Sequence, residues 1–216
     1  MPTLVNLRSQ IKEILHTSIF TDSEITARLN LGVNLIAAGL PSSFGEIKTP
    51  PLPDLFSIAT VDTVLSTAYA SMPATYQRSL QFVADSSGRE IDVYNSMIEF
   101  AEDNPLMDRD GSVDGVIEQG GRLYYQGIPT SVETLTLHFF RLPVDMSSDS
   151  ESPDGLPDHL AEPLLVNYVC KELFQLLRDK NSPDRVIWHT QLFNQYMRAL
   201  EISIPADNRS LFLFGE

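Results

Sequence analysis

Residues 158–180 read DHLAEPLLVNYVCKELFQLLRDK, and this stretch decides the fold. Leu160, Leu164, Leu165, Tyr168, Val169, Leu173 and Leu176 recur at the three- and four-residue steps that put side chains on one face of an α-helix. Glu162, Asn167, Lys171, Gln175 and Arg178 fall on the opposite face. An apolar stripe this wide has to be covered by something of comparable size, so the rest of the chain is read for what covers it.

Working outward, three further amphipathic stretches offer themselves. Thr3–Thr17 carries Leu4, Leu7, Ile11 and Leu15, and Asp22–Ala38 carries Ile25, Leu29, Val33 and Ile36 behind a cap at Asp22 or Ser23. Ser182–Ile202 opens on a capping Ser182 with Pro183 at its first position, and Val186, Trp188, Leu192, Tyr196 and Leu200 are its expected apolar contacts. Two helices from each end of the chain would close a four-helix bundle whose core is Leu164, Leu165, Tyr168, Val169 and Leu173.

Between the two helical pairs the periodicity changes. Pro41, Pro50, Pro51 and Pro53 break the helical pattern. Val61–Tyr69 and Ser79–Val83 then alternate like strands, and Ile91–Asp103 returns to helical spacing. Val116–Glu118, the Gly120-Gly121 turn and Arg122–Gln126 read as a tight hairpin, and Val132–Leu142 is the strongest strand of the chain. The segment DMSSDSESPDGLPD, residues 145–158, is acidic and rich in Ser and Pro, so it reads as a solvated link. The expected fold is α+β and mainly α: a four-helix bundle with an inserted small antiparallel β-sheet, one short helix and an extended C-terminal tail. The expected domains are residues 1–57 with 157–204 for the bundle, 58–156 for the β-rich insertion and acidic linker, and 205–216 for the tail.

Composition narrows the function. With 15 basic against 29 acidic residues the net charge is −14, which argues against a surface that grips nucleic acid. The single Cys170 sits within the apolar stripe and reads as a buried, inert thiol. The opening residues lack the basic region and apolar core of a secretory signal, and no run approaches a membrane span, so the expected setting is a cytosol or a particle assembled there. Asp108, Asp110, Asp114 and Glu118 resemble a calcium loop only superficially, because Gly111 stands in the fourth place instead of the sixth. His16, His138, His159 and His189 have no metal-site spacing, and no nucleophile or phosphate-binding motif is present. No catalytic, cofactor-binding or metal site is expected, and no cofactor.

The order of the parts resembles a known family. Met72-Pro73-Ala74-Thr75-Tyr76, the strand Leu135 to Pro143, and Leu156-Pro157-Asp158-His159-Leu160 leading into a long helix are similar, in this order and spacing, to the head-to-tail connector (adaptor) proteins of tailed bacteriophages. The resemblance runs from Thr3 to Leu200 and carries no catalytic residue. It implies a structural ring, dodecameric in that family, docked under the portal protein, with a tail or nozzle protein below it. It also implies DNA passing through the ring without sequence-specific binding, and a virion location. The same residues leave open another neck or tail-completion protein, or a non-viral helical binding module or enzyme.

Leu211, Phe212, Leu213 and Phe214 follow the spacer Asn208-Arg209-Ser210 after Pro205. Four large hydrophobes near a chain end are an aggregation hazard unless covered. Two coverings are open: folding back on the bundle, or docking as an extended arm on the portal, and the resemblance favours the second. The stripe itself supplies a first test. Leu165→Asp buries an unpaired carboxylate, a cost of several kcal/mol, and should abolish cooperative thermal unfolding. A soluble variant with wild-type melting would remove Leu165 from the core.

Overall fold

The computed structural model describes residues 2–16, 18–39, 50–103, 109–177 and 182–204. In chain order the elements are α1 (Leu4–Leu15), α2 (Asp22–Ala38), β1 (Phe56–Asp62), β2 (Tyr69–Ser71), β3 (Tyr76–Ala84), β4 (Glu90–Val93), α3 (Met97–Asp103), β5 (Gly115–Gln119), β6 (Arg122–Tyr125), β7 (Thr134–Arg141), α4 (Asp158–Leu177) and α5 (Ser182–Ser203). They form two compact units. One runs up to Leu55 and resumes at Pro143; the other is Phe56–Leu142.

In the helical unit α4 is the centre. From Leu160 to Phe174 every residue is buried except Glu162, Pro163 and Glu172, so α4 is enclosed on most of its circumference. Leu164, Leu165, Val169 and Leu173 are fully buried and Tyr168 is 6% exposed. α1, α2 and α5 all pack on α4. Asn167, Lys171 and Phe174 face α5, while Glu162 meets α1 through Gln10 and Glu172 meets α2 through Arg28. At 3.6 residues per turn these two sets lie on opposite sides of α4.

Each flanking helix has a local reason to form. α1 buries Leu4, Leu7, Ile11 and Leu15, as its spacing requires, and stops at His16 with φ 51°. α2 has the expected bounds, but its cap is Thr21 instead of Asp22 or Ser23: Glu24 N–H donates to Thr21 Oγ1 at 3.3 Å and Thr21 N–H donates to Glu24 Oε2 at 2.8 Å, a reciprocal capping box. Gly32, mid-helix in α2, lies against Tyr168 and Leu165 of α4. A Cβ there would lie 2.7 Å from Tyr168 Cδ1, so the packing excludes a side chain.

α5 turns a different face inward from the one expected. His189, Thr190, Phe193, Met197 and Leu200 are buried, whereas Trp188 is 59% exposed. A polar layer accompanies this contact. Asn167 Nδ2 donates to the Pro163 carbonyl at 2.6 Å, which leaves its Oδ1 to accept from His189 Nδ1–H at 2.8 Å. The imidazole stacks on Phe174 with ring centroids 5.5 Å apart. Lys171, expected on a solvated face, is instead buried beside Glu172 at 3.2 Å and over the Tyr168 and Phe193 rings. Buried polar groups are tolerated here because each of these has a partner.

The sheet unit is larger and more complex than the small antiparallel insertion expected. Its seven strands run in the order β1-β7-β3-β4-β5-β6-β2. β4 and β5 are parallel, with Val93 opposite Val116, so the sheet is mixed. Residues 91–93, read as the start of a helix, form β4, and the helix begins only at Met97. Ile91 and Val93 fit either period in so short a window. The expected hairpin is present: Val116–Gln119 pairs with Arg122–Tyr125 across Gly120 and Gly121, whose φ of 58° and 77° suit a twisted two-residue turn. Ala70, Val83, Ile91, Val116, Tyr125 and Leu137 belong to the core inside the sheet.

β1 and β2 lie at opposite ends of the strand order but are joined by residues 63–68 alone. Those residues span at most about 24 Å, whereas the edges of a flat seven-stranded sheet would stand roughly 29 Å apart. The sheet therefore curls, and β1 and β2 meet.

Among the described residues, five helices and a seven-stranded curled mixed sheet, 44% helix and 23% strand, replace the four-helix bundle with a small inserted sheet. The physical reason is the burial of α4. A bundle gives each helix one solvent face, whereas α4 is enclosed by neighbours on opposite sides.

The polar layer yields a pH prediction. Burial, then the nearby Arg185 charge, hold the His189 pKa below its ordinary 6.5. The folded state therefore keeps His189 neutral while the unfolded state takes up a proton below pH 6.5. This contribution is complete above 6.5 and is lost as pH falls through the window beneath it. The fall in melting temperature from about pH 7.5 to about pH 5.5 should be smaller in His189→Gln than in the wild type. Equal falls in the two proteins would exclude His189 as the titrating group.

Candidate interaction surfaces

In the sheet unit, β1 alternates strictly between exposed and half-buried residues. Ala59 and Val61 pack on the core. Phe56 and Ile58 point outward, 46% and 56% exposed. Cross-strand pairing extends this outward face: Phe56 sits opposite Phe140, Ile58 opposite His138, and Phe82 of β3 opposite His138 from the other side. The rings touch edge-on or tilted, with centroids 5.7 Å apart for Phe56–His138 and 5.1 Å for Phe82–His138.

The two sheet edges differ. β2 is three residues long, is followed by Pro73, and has the Arg122 guanidinium 4.5 Å above its Tyr69 ring. Short length, Pro and charge are the usual protections of an edge strand. β1 is seven residues long and carries no charge and no Pro before Asp62.

A bulge shapes the neighbouring β3. Arg78 pairs with Phe140 and Phe82 with His138, so four steps on β3 span two on β7, and Ser79 takes φ 57°. Tyr76 O–H donates to Glu118 at 3.2 Å, and burial with the Glu118 charge holds the phenol protonated. Burial lowers the half-buried Arg78 to about 10, which leaves it cationic at neutral pH.

The acidic run weighed as a calcium loop goes to separate partners. Asp114 pairs with Arg89 at 2.7 Å, Glu118 accepts from Tyr76 and from Gly121 N–H, and Asp110 takes part through its backbone in a β-bridge with Ile128. Asp108 lies outside the described residues. Arg89 also holds Asp85 at 3.0 Å, and Ser87 and Arg89 together keep that carboxyl well below the usual range. Among the described residues no three metal-ligating side chains converge, and no helix is long and apolar enough to cross a membrane.

In the helical unit, the segment read as a solvated link is a fastened strap. Met146 and Leu156 are buried. Leu4 and Val5 N–H donate to the carbonyls of Glu151 and Asp149, and Arg8 pairs with Asp149. The Asn30 side chain binds the Met146 backbone twice, donating to its carbonyl and accepting from its N–H, both at 3.0 Å. Gly155, φ 78°, lies against Leu55, where a Cβ would come within 2.6 Å. Strap, α1 and α2 enclose an open groove of about 580 Å³ lined by Leu4, Arg8, Ala27, Asn30, Leu31 and Asp145 among others.

The outer face of α5 is another open surface of this unit, with Ile187 56% and Trp188 59% exposed. Sequence reasoning missed it because residues 188, 192, 196 and 200 and residues 189, 193, 197 and 200 both follow helical spacing. Only packing on α4 chooses between them. It missed the strap because backbone hydrogen bonds leave no trace in composition. Cys170 is fully buried, and burial pushes its thiol up to about 12, so it is unreactive. Leu211, Phe212, Leu213 and Phe214 lie outside the described residues.

Exposed apolar faces of this kind suit contacts with other macromolecules. No curated protein matches the chain. The family model for the SU10 adaptor protein matches residues 2–211. The match covers nearly the whole chain, and so this protein belongs to the SU10 adaptor protein family, structural phage adaptors that act within the virion by binding other virion proteins.

Proposed function

We propose that this protein is a head-to-tail adaptor: copies form a ring between portal and tail and continue the DNA channel through the neck. The observation that carries this reading is the outward face of β1: Phe56 and Ile58 stand exposed on an edge strand that carries no charge and no Pro before Asp62. Natural monomers protect such edges. An adaptor whose sheet meets a neighbouring subunit, or the tail-side protein below, would have no need of that protection.

The charge supports the second half of the reading. No lysine occurs between Lys48 and Lys171. In the sheet unit Arg89 is held by two carboxylates and Arg122 lies over Tyr69. A wall so poor in available cations repels phosphate, which lets a duplex slide instead of being held.

Attachment to the portal is assigned to the C-terminal arm, Leu211, Phe212, Leu213 and Phe214. An extended strand of alternating Leu and Phe can add to a sheet edge on the portal and seat alternate side chains in pockets. Burying two Phe and two Leu supplies on the order of 6 to 10 kcal/mol before the cost of ordering the arm. Repetition around a ring turns a modest single contact into a stable one.

The test is truncation after Pro205. The shortened protein should keep its melting temperature and circular dichroism, lose binding to purified portal, and give particles without tails. Intact attachment would eliminate the arm as the portal contact. Loss of folding would mean that the arm completes the helical unit instead.

A further inference from the structure

On the side of α5 turned away from α4, Trp188, Gln191, Gln195, Arg198 and Ile202 follow one another at steps of three and four residues and form one exposed stripe, with Ile187 beside Trp188. The stripe is apolar at its ends and polar in its middle. Ile202 is 74% exposed at one end, and Trp188, the chain's one Trp, is 59% exposed at the other. Just past Ile202 the chain leaves the helix from a fixed point. Ile204 is buried and its N–H donates to the Leu200 carbonyl at 3.2 Å, and Pro205 has no N–H with which to extend the helix.

The residues that follow, PADNRSLFLFGE, repeat the order of the stripe: a polar stretch, Asp207 to Ser210, and then the hydrophobes from Leu211 to Phe214. The lengths agree as well. Trp188 lies 16 residues back from Ile204, about 24 Å along the helix axis. The ten residues from Pro205 to Phe214, fully extended, reach at most about 36 Å. A reversal of the chain at Pro205 can therefore use about three of them and still lay the Leu-Phe run on Ile187 and Trp188. Charge fits the same direction. Asp207, at most about 11 Å of chain beyond Ile204, comes level with Arg198, about 9 Å back along the helix.

We infer that in the free protein residues 205–216 run back along the outer face of α5, with Leu211, Phe212, Leu213 and Phe214 over Ile187 and Trp188, and that the portal displaces this contact to take the arm. The contact itself stands on reach and pattern; its displacement rests on the reading of the arm as the portal attachment. The exchange is physically favourable. The backbone of a helix is already hydrogen-bonded internally, so α5 offers the arm side chains alone, whereas a sheet edge on the portal offers backbone hydrogen bonds as well. Tethering makes even a weak contact effective in a free copy, because a short linker holds the arm at a concentration on the order of millimolar. Four hydrophobes that would otherwise promote aggregation are thus covered until the portal arrives. Core packing does not depend on the contact, which lies on the side of α5 away from α4.

Because the chain has one Trp, its fluorescence reports on position 188 alone. Acrylamide quenching is compared in the full-length protein, the protein truncated after Pro205, and a full-length Phe212→Ser, Phe214→Ser variant, each verified by circular dichroism to fold as the wild type. With the arm docked in about two thirds of free copies, quenching should be about twofold stronger in the truncated and double-serine proteins, and the difference should persist over about hundredfold dilution. Equal quenching in all three proteins would overturn the inference. A difference that disappears on dilution would mean that the arm covers α5 of a second copy, and overturns it too. Competition with the portal is read separately: full-length Trp188→Ser, whose arm is released, should bind purified portal about threefold more tightly than the wild type. Unchanged portal affinity would keep the contact on α5 and discard its displacement by the portal. Equal quenching together with portal binding lost on truncation would discard the contact and leave the portal reading standing.

Discussion

Enclosure of α4 is the constraint on which the helical unit depends. Its residues from Leu160 to Phe174 are almost all buried, and each apolar side chain among them contributes roughly 25 cal/mol per Å² removed from water. α1 and α2 cover one side and α5 the other. Gly32 lets α2 approach Tyr168 closely, and the Asn167–His189 pair settles the polar groups that complete enclosure would otherwise strand. The strap from Asp145 to Glu151 then ties the N-terminal helices to the chain that leads into α4.

The sheet unit answers a different constraint, the short connection between β1 and β2. Residues 63–68 cannot bridge the edges of a flat seven-stranded sheet, so the sheet curls around a core that holds Val83, Ile91, Val116 and Tyr125. Protection of β2 and exposure of β1 follow from composition: Arg122 and Pro73 at one edge, and Phe56 to Val61 at the other.

These two constraints connect fold to function. A structural adaptor needs rigid interiors and several distinct faces, because each partner is bound by surface and none by chemistry. Here rigidity comes from α4 and the curled sheet, and the faces come from what each leaves over: the outer side of α5, the groove beneath the strap, and the edge of β1.

The sequence by itself determined the elements whose signal is local. The long helix at 158, the stripe of α1, the Gly120-Gly121 hairpin and the strand at 134–141 are all legible, because periodicity and turn chemistry depend on neighbours a few residues away. The order of its motifs also pointed to phage adaptors before any coordinates. Only the tertiary structure decided that Lys171 and Asn167 are buried, that α5 turns Trp188 outward, that residues 90–93 are a strand, and that the acidic segment is a strap. Each depends on a partner distant in sequence: α5 for Asn167, β5 for β4, Asn30 for Met146. Helical spacing fixes which residues share a face, but which face is buried is settled by the free energy of packing against elements that local sequence does not encode.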